Sequence, residues 1–332
     1  MSFSKIQDLA RQGKLPNSLL GCPHPICKSC QYGKAHRHPV AAADIAQPID
    51  AGNLTPGDRV SVDQIESSTP GYVDIFKGKP TSAKYHAASV YVDHASRYTF
   101  VKYHYSTGAR EAIEGKQIFE RLALTHGVKV KAYQVDNGIM SSHDYIEHQH
   151  ANQQAITFCG MNAYGQNGIA ERYIRTLCDR ARTMLLHAME HWPDVITLEL
   201  WPCALKMAAD IHNATPGPSG LSPEEILTKQ WARPDRFLDF HTFGCPVFVL
   251  DPSLQQGHKI PKWKPRARQA KYLGHSPRHA QTVPIMLNIT TGLCSPQYHV
   301  MFHDYFTSTE SRKTMFYHPA GMTSSLTTVL MF

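Results

Sequence analysis

Three acidic residues occupy positions from which they could act together on a phosphodiester. Asp63 lies in R-V-S-V-D-Q-I (Arg59–Ile65), whose alternation is typical of a half-buried strand. Asp136 ends a second strand-like segment, and Glu171 follows it by 35 positions, just after the turn-forming Asn167-Gly168 and at the start of a helical segment. Two strand acids and one helix-start acid are the ligands that a two-metal phosphoryl-transfer site requires.

The chemistry explains why carboxylates are needed. One divalent ion activates the attacking oxygen and a second, about 3.5–4 Å away, stabilises the leaving oxygen. Mg²⁺ prefers oxygen ligands, so Asp and Glu serve and His or Cys do not. Three crowded carboxylates also repel one another unless cations are bound.

Each acid has an ordinary interpretation when it is taken alone. Asp63 could end a strand in solvent, Asp136 could belong to a simple turn, and Glu171 could be a helix-start acid favoured by the macrodipole. Other acids could replace them in such a scheme, namely Asp74, Asp93 and Asp144. Only the order of strand acid, strand acid and helix-start acid favours a shared site.

The surrounding pattern predicts the elements that would position these acids. Three strands, the last two joined as a hairpin, precede two more strands that alternate with helices, and the best helix follows Gln166. A Pro/Gly-rich run at 216–220 is a candidate domain boundary. Short strands separated by Pro and Gly then predict a small barrel. The core strands are predicted at Arg59–Ile65, Ala87–Asp93, Tyr98–Tyr103, Val128–Asp136 and Ala155–Cys159, and the barrel strands at Phe243–Leu250, Gln269–Leu273, Val283–Ile289 and Tyr298–Phe302.

Composition narrows the class of protein. The 332 residues carry a formal net charge of +7, which suits a polyanionic partner, and 42% hydrophobic residues, which can bury a sizeable core. Eight cysteines, mostly single, indicate a reducing compartment rather than a disulfide framework. No secretory signal and no membrane-spanning segment is evident, so we expect a nuclear or cytoplasmic protein that is not secreted.

Several motifs together resemble the integrase of copia-type LTR retrotransposons, a segment of a Gag-Pol polyprotein. The resemblance runs from about residue 5 to 305 and is densest at Gln166–Leu185. The matching motifs are V-D-Q (Val62–Gln64), Y-V-D-H-A-S-R-Y (Tyr91–Tyr98), V-D-N-G (Val135–Gly138), Q-N-G-I-A-E-R (Gln166–Arg172), R-A-R-T-M-L (Arg180–Leu185), F-G-C-P-V-F-V (Phe243–Val249), A-K-Y-L-G-H (Ala270–His275) and V-M-F-H-D (Val300–Asp304).

The resemblance implies an α/β protein: a ribonuclease-H-like core with a mixed five-stranded sheet, followed by a small Src-homology-3-like β-barrel. It implies that Asp63, Asp136 and Glu171 are catalytic and hold two Mg²⁺ or Mn²⁺ ions. The expected order is a truncated zinc-binding module (1–40), a linker (41–58), the catalytic core (59–215), a linker (216–240), the barrel (241–305) and a poorly ordered tail (306–332).

The chain departs from the family pattern near the expected site. Ile139 follows Asn137-Gly138 where the family usually repeats glycine, and N-A-Y-G (Asn162–Gly165) replaces a Pro-containing loop. The 34 residues between Asp136 and Glu171 are one fewer than in the retroviral pattern. These differences affect the loop more than the three acids.

The first cysteines resemble half of a zinc module. Cys27 and Cys30 match its second half, but a structural zinc needs four ligands and the family's upstream His pair is absent from the sequence. Cys22 or His24 could substitute. We therefore expect an incomplete zinc site and a partly unfolded segment, because such modules depend on metal for their fold.

Cationic residues provide candidate contacts to double-stranded DNA, the expected partner. A basic segment between Asp251 and Ala280 interleaves seven Lys or Arg residues with Trp263 and Tyr272. A solvated barrel loop and simple helix solubility are the alternative explanations for these cations. The candidate contacts are Asn137, Gln166, Arg172, Arg175, Arg182, Lys262, Lys264, Arg266 and Arg268.

The expected reaction is 3′-end processing and strand transfer by a homo-oligomer. Two alternatives stay open at this stage. A ribonuclease H would place an acid on the helix after the third strand, where Glu111, Glu114 and Glu120 lie. A decayed, catalytically inactive DNA-binding fragment is the other.

Overall fold

The first sheet has five strands in the order β3-β2-β1-β4-β5, with β1, β2 and β3 antiparallel and with β4 and β5 parallel to β1. The computed structural model describes residues 1–35, 54–73, 81–136, 138–158, 167–230, 236–280, 283–304 and 306. The predicted mixed five-stranded sheet is confirmed. Its strands are β1 Val60–Tyr72, β2 Lys84–Asp93, β3 Thr99–His104, β4 Ala132–Val135 and β5 Ala155–Phe158.

Helices cover both faces of this sheet because its central strands are apolar on both sides. One face of the sheet, which includes Val60 and Val62, packs on α3 and α4. The other, which includes Val90, packs on α5 and α6. Successive strand side chains alternate between faces, so Asp63 lies on the α5 side. The helices that follow β1 are α3 Ala109–Thr125, α4 His143–Ala151, α5 Gly168–His191, α6 Trp201–Ala214 and α7 Pro223–Thr228.

Helix α5 is the central element of the protein. Its predicted apolar stripe is present, since Leu177, Ala181 and Leu185 are buried against both the sheet and the second domain. Helical spacing explains this, because residues three and four apart lie on one face. The first turn of α5 is thereby held beside β1, and its last turn beside the second domain.

The second sheet is antiparallel, in the order β10-β6-β7-β8-β9, as expected for a small barrel-like domain. It packs closely on α5. Gly244 has a φ of +78°, and a Cβ there would lie 2.6 Å from the Cβ of Ala188, so glycine is required at this contact. Prediction missed the short β9. The elements are β6 Pro246–Leu250, α8 Pro252–Gln255, β7 Ala267–His275, β8 Pro284–Asn288, β9 Cys294–Pro296 and β10 Val300–Phe302.

The N-terminal segment contains two helices, α1 Phe3–Arg11 and α2 Lys28–Gly33, and it contacts the core. Leu9 is buried with Ala214 and Phe237. Gly33 is buried against α5, where Arg182 Nη1 donates to the Gly33 carbonyl at 2.8 Å. Residues 1–35 therefore have helical structure that packs on the core, and the dependence of this segment on metal stays a prediction. None of the helices in the described ranges is long and apolar enough to cross a membrane.

Candidate active site

Asp63 lies in the central strand of the first sheet. Its partner across the antiparallel ladder is Val90, and its side chain is half-buried. The backbone N–H of Gln64 donates to Asp63 Oδ1 at 2.7 Å, which fixes one carboxylate oxygen. The strand therefore holds this acid rigidly at the sheet surface that α5 crosses.

Asp136 is brought beside Asp63 by the parallel pairing of β1 and β4. The last aligned pair of that ladder is Val62 and Val135, and each acid follows its valine directly. Residues that directly follow a paired position on two parallel strands lie side by side at the edge of the ladder. Asp136, which is exposed, thus leaves the end of β4 next to the position of Asp63.

Glu171 approaches from the first turn of α5. Its N–H donates to the carbonyl of Asn167 at 3.1 Å, which is the first hydrogen bond of the helix. The buried side chain of Asn167 donates in turn to the Val62 carbonyl at 3.0 Å. The helix start is therefore attached to the strand that carries Asp63.

Electrostatics place the three carboxylates within range of one another. Burial is the largest cause that raises the pKa of Asp63 to about 6, and the negative charges of Asp136 and Glu171 raise it further. The hydrogen bond from the Gln64 N–H opposes this shift. The structure thus brings together the three acids that spacing singled out.

The donor chemistry of this group fits a hard divalent cation, although the carboxylates do not enclose one. In the part of the chain that the structure describes, no three His, Cys, Asp or Glu side chains form a group that could hold a metal ion. The three acids are neighbours without being a closed coordination shell. Their oxygens are nevertheless the ligand type that Mg²⁺ or Mn²⁺ prefers, and a cation would relieve the repulsion that raises the pKa of Asp63.

Other acids in the region have separate roles. Asp93 is fully buried and accepts from the N–H groups of Gly57 at 2.8 Å and Ser96 at 2.7 Å, so it organises the turn after β2. Asp144 is an exposed acid in the first turn of α4. Neither contributes to the raised pKa of Asp63, whereas Asp136 and Glu171 do. Asp74, Asn137 and Gln166 lie outside the described residues.

Comparison with known proteins gave matches among solved structures only. No family model and no curated protein matches this chain. It is similar to the HTLV-2 integrase catalytic core domain in complex with magnesium, in its trimeric form (19% identity, 52% of this chain, 97% of that chain, TM-score 0.38). It is also similar to the catalytic core domain of BIV integrase (19%, 52%, 95%, 0.36). A third match is the simian T-cell lymphotropic virus intasome in complex with the PP2A regulatory subunit B56 gamma (16%, 91%, 98%, 0.40).

The arginines of α5 differ in what they contact. Arg172 and Arg175 are exposed on the first turns of the helix, close in sequence to Glu171. Arg182 is more constrained, because it bonds the Gly33 carbonyl and forms an ion pair with Asp179 at 3.0 Å. The first two therefore have guanidinium groups better placed for a ligand, whereas Arg182 attaches α2 to α5.

The basic segment divides into an exposed part and a buried part. Lys262, Lys264 and Arg266 are exposed, and Arg268 is half-buried. Trp263 is 88% exposed, and Lys262 Nζ lies 5.3 Å from its ring centroid.

The expectation that the whole segment faces a ligand is wrong for two of its members. Lys271 and Tyr272 are 1% and 0% exposed, because β7 turns these side chains into the core shared with α5. Lys271 Nζ lies 2.9 Å from the Trp192 ring centroid, and burial lowers the pKa of its amine to about 7.

The cysteines near the N-terminus do not form a metal group in the described residues. Cys27 caps α2, with its Sγ accepting from the Cys30 N–H at 3.3 Å. Burial and the hydrogen bond to Cys27 raise the pKa of the Cys30 thiol, which opposes the thiolate that zinc requires. Cys22 is exposed, and the ring of His24 packs against Phe3 instead. A zinc site stays a prediction.

Sequence reasoning missed two residues that the fold makes important. The sequence places Asn167 in a turn, although an Asn before a helical stripe is a recognised N-cap signal. Lys271 belongs to a segment rich in cations, and the apolar residues around it in A-K-Y-L-G are the sequence signal for its burial. Both errors concern side-chain direction, which local composition does not fix.

Proposed function

We propose that this chain is the integrase of a copia-type retrotransposon, a metal-dependent polynucleotidyl transferase that inserts element DNA into host DNA. The observation that carries the proposal is the position of Asp136 and Glu171 near Asp63, at the end of the parallel ladder. Their negative charges add to the effect of burial and raise the pKa of Asp63. Carboxylates at two strands and a helix start are the ligand type that two-metal phosphodiester chemistry requires.

The positions of the three acids indicate the role of each in metal binding. Asp63 and Asp136 would share two Mg²⁺ or Mn²⁺ ions, and Glu171 would complete the second site. The ions, when bound, would polarise the phosphate and stabilise the attacking and leaving oxygens. Strand β1 holds Asp63, and Asp136 directly follows β4, which limits the reorganisation needed as charge develops on the phosphate.

The reaction would proceed in two displacement steps at phosphorus. Water first attacks a terminal phosphodiester of the element, which forms one P–O bond, breaks another and frees a 3′-hydroxyl. That hydroxyl then attacks a target-strand phosphate in line, and the target 3′-oxygen leaves. No covalent intermediate with the protein is needed, so no Ser or Tyr nucleophile is required.

The competing nuclease is not favoured, because the acids it would use are occupied. Glu120 accepts from Tyr133 at 2.9 Å and from Gln154 at 2.6 Å, on the sheet face opposite Asp63. Glu111 accepts the N–H groups that precede α3, and Glu114 pairs with Lys102 at 3.6 Å. These three acids of α3 thus form hydrogen bonds and an ion pair that stabilise the fold.

The reaction itself is the test. We expect the wild-type chain with Mn²⁺ to join the 3′ end of a labelled duplex to target DNA, and the Glu171→Gln variant to produce no joined product. Joining by both proteins would contradict the assignment of Glu171. Joining by neither would favour the decayed fragment, and cleavage of an RNA–DNA hybrid without joining would favour the ribonuclease H.

Double-stranded DNA is the proposed partner, bound through Arg172, Arg175 and the exposed part of the basic segment. The reaction also implies a homo-oligomer when the protein is active and access to nuclear DNA. Asn137, Gln166, Arg182 and Arg268 stay proposed DNA contacts. A zinc ion held by Cys27 and Cys30 with further ligands also stays a proposal.

Removal of two exposed cations is expected to weaken DNA binding in a salt-dependent way. In the double variant Lys262→Ala, Arg266→Ala, the slope of log K against log salt should fall by about 2, because roughly one counterion is released for each phosphate contact. Fluorescence anisotropy between low and moderate salt measures this slope. Lys129→Ala, at an exposed lysine outside the segment, is the matched control. An unchanged slope in the double variant would show that the segment is a solvated loop.

A further inference from the structure

Asn167 has an unusual arrangement for the residue that begins a helix. An N-cap side chain normally accepts a hydrogen bond from the first turn of its own helix. The Asn167 side chain makes no such bond. Its Nδ2 instead donates at 3.0 Å to the Val62 carbonyl, 105 positions away in the sequence, and the residue is 2% exposed.

The two attachments of Asn167 lie beside two members of the candidate site. Its side chain holds the carbonyl of Val62, the residue directly before Asp63. Its own carbonyl accepts the N–H of Glu171 at 3.1 Å. Asn167 therefore links the strand acid to the helix acid through two hydrogen bonds and one turn of helix.

The side-chain amide of Asn167 contributes little net stability to the fold. Among the atoms that the structure describes, Asn167 Oδ1 is buried without a hydrogen-bond partner. An unsatisfied buried acceptor costs about 1–3 kcal/mol, which offsets the contribution of the bond to Val62. A residue that served only the fold would gain little from this amide, so its geometric effect is the better explanation.

We propose that Asn167 is a positioning residue that sets the separation of Glu171 from Asp63 by tying the start of α5 to β1. The proposal rests on the proposed function, because it requires both acids to bind the same pair of cations. Residues that orient ligands from outside the coordination shell typically change metal affinity by about 10–100-fold when they are replaced.

Asn213 provides a matched control in the same chain. It is also a buried asparagine that ties a helix to a strand, with Nδ2 donating to the Thr99 carbonyl at 2.8 Å and Oδ1 accepting from the Thr99 N–H at 2.9 Å. It lies on α6 and contacts the first residue of β3. Replacement of Asn213 removes at least as many hydrogen bonds as replacement of Asn167, without touching the acids.

The test measures Mn²⁺ affinity by calorimetry in the full chain, without DNA. Asn167→Ala, and Asn167→Leu as a variant of similar volume without an N–H donor, are expected to weaken Mn²⁺ binding about tenfold or more. Asn213→Ala is expected to lose thermal stability and to bind Mn²⁺ as the wild type does. Hydrogen exchange at the Glu171 N–H should accelerate in both Asn167 variants and stay unchanged in Asn213→Ala.

The outcomes separate this proposal from the proposed function. Wild-type affinity in both Asn167 variants would overturn the positioning role, and so would an equal loss in Asn213→Ala. The Glu171→Gln variant tests the site itself. If the wild type binds no Mn²⁺, or if Glu171→Gln binds it equally well, the metal site fails, and the positioning role fails with it.

Discussion

Replacement of Asp63 by asparagine is expected to abolish strand joining and, at the same time, to stabilise the metal-free protein. A metal-ligating carboxylate contributes several kcal/mol to the stabilisation of the transition state, so the rate should fall by roughly 1,000-fold. The gain in stability follows from the pKa of about 6, because at pH 7 the fold holds a charge that burial, Asp136 and Glu171 all disfavour.

The contribution of Asp63 to the free energy of unfolding changes with pH in the direction opposite to that of most acids. The pKa of Asp63 in the folded chain lies above the value of about 3.9 in the unfolded chain. Between roughly pH 4 and 6 the folded state binds the proton more tightly, so the free energy of unfolding contributed by this group falls as pH rises. Asp63→Asn should therefore gain about 1–3 kcal/mol at pH 7 and little near pH 4.

Urea unfolding at several pH values, followed by circular dichroism, measures the difference between Asp63→Asn and wild type. Asp144→Asn is the control, since Asp144 is exposed on α4 and should change stability by less than about 0.5 kcal/mol. A variant that keeps its joining activity would refute the role of Asp63. A stability difference that does not vary with pH would refute the electrostatic explanation.

Lys271→Met is expected to stabilise the chain by roughly 2–4 kcal/mol at pH 7. The amine is 1% exposed, and no hydrogen-bond partner for its Nζ is found among the described residues. Burial lowers its pKa to about 7, far below the value of about 10.4 in an unfolded chain. The unfolded state therefore binds the proton more tightly, and wild-type stability from this group rises as pH increases from 7 to 10.

The advantage of Lys271→Met should accordingly shrink as pH rises through that window. Methionine matches the length of the lysine stem and loses only the interaction with the Trp192 ring, about 2 kcal/mol when it is desolvated. Lys259→Met, at an exposed position of the same segment, controls for the loss of one surface charge. Destabilisation by Lys271→Met would show that the cation and the ring together contribute more than burial costs.

The local pattern was sufficient for most of the core sheet. Alternation around Asp63 and the β-branched segment before Asp136 predicted strands, and the stripe through Leu177 predicted α5, as the structure has them. These features depend on side-chain period along one element, which the sequence contains in full. The turn-rich composition after residue 240 predicted a second group of short strands for the same reason, although β9 was too short to carry a pattern.

Side-chain direction and long-range partners were not predictable in that way. Lys271 looked like its exposed neighbours, yet β7 turns it toward Trp192. Arg182 bonds the carbonyl of Gly33, 149 positions away, a contact that the sequence does not predict. Asn167 looked like a turn residue, yet it bonds Val62. Each outcome depends on which distant element packs nearby, and a local window contains no such information.

The amino-acid sequence by itself therefore determined which three carboxylates could form a site, because their chemistry and their places at strand and helix positions are local properties. Only the tertiary structure decided that Asp63, Asp136 and Glu171 are neighbours and that burial shifts the pKa of the first. The parallel register of β1 with β4 and the attachment of α5 to β1 bring the three together. Those contacts form between residues far apart in the chain, when the apolar faces of the sheet and helices are buried together.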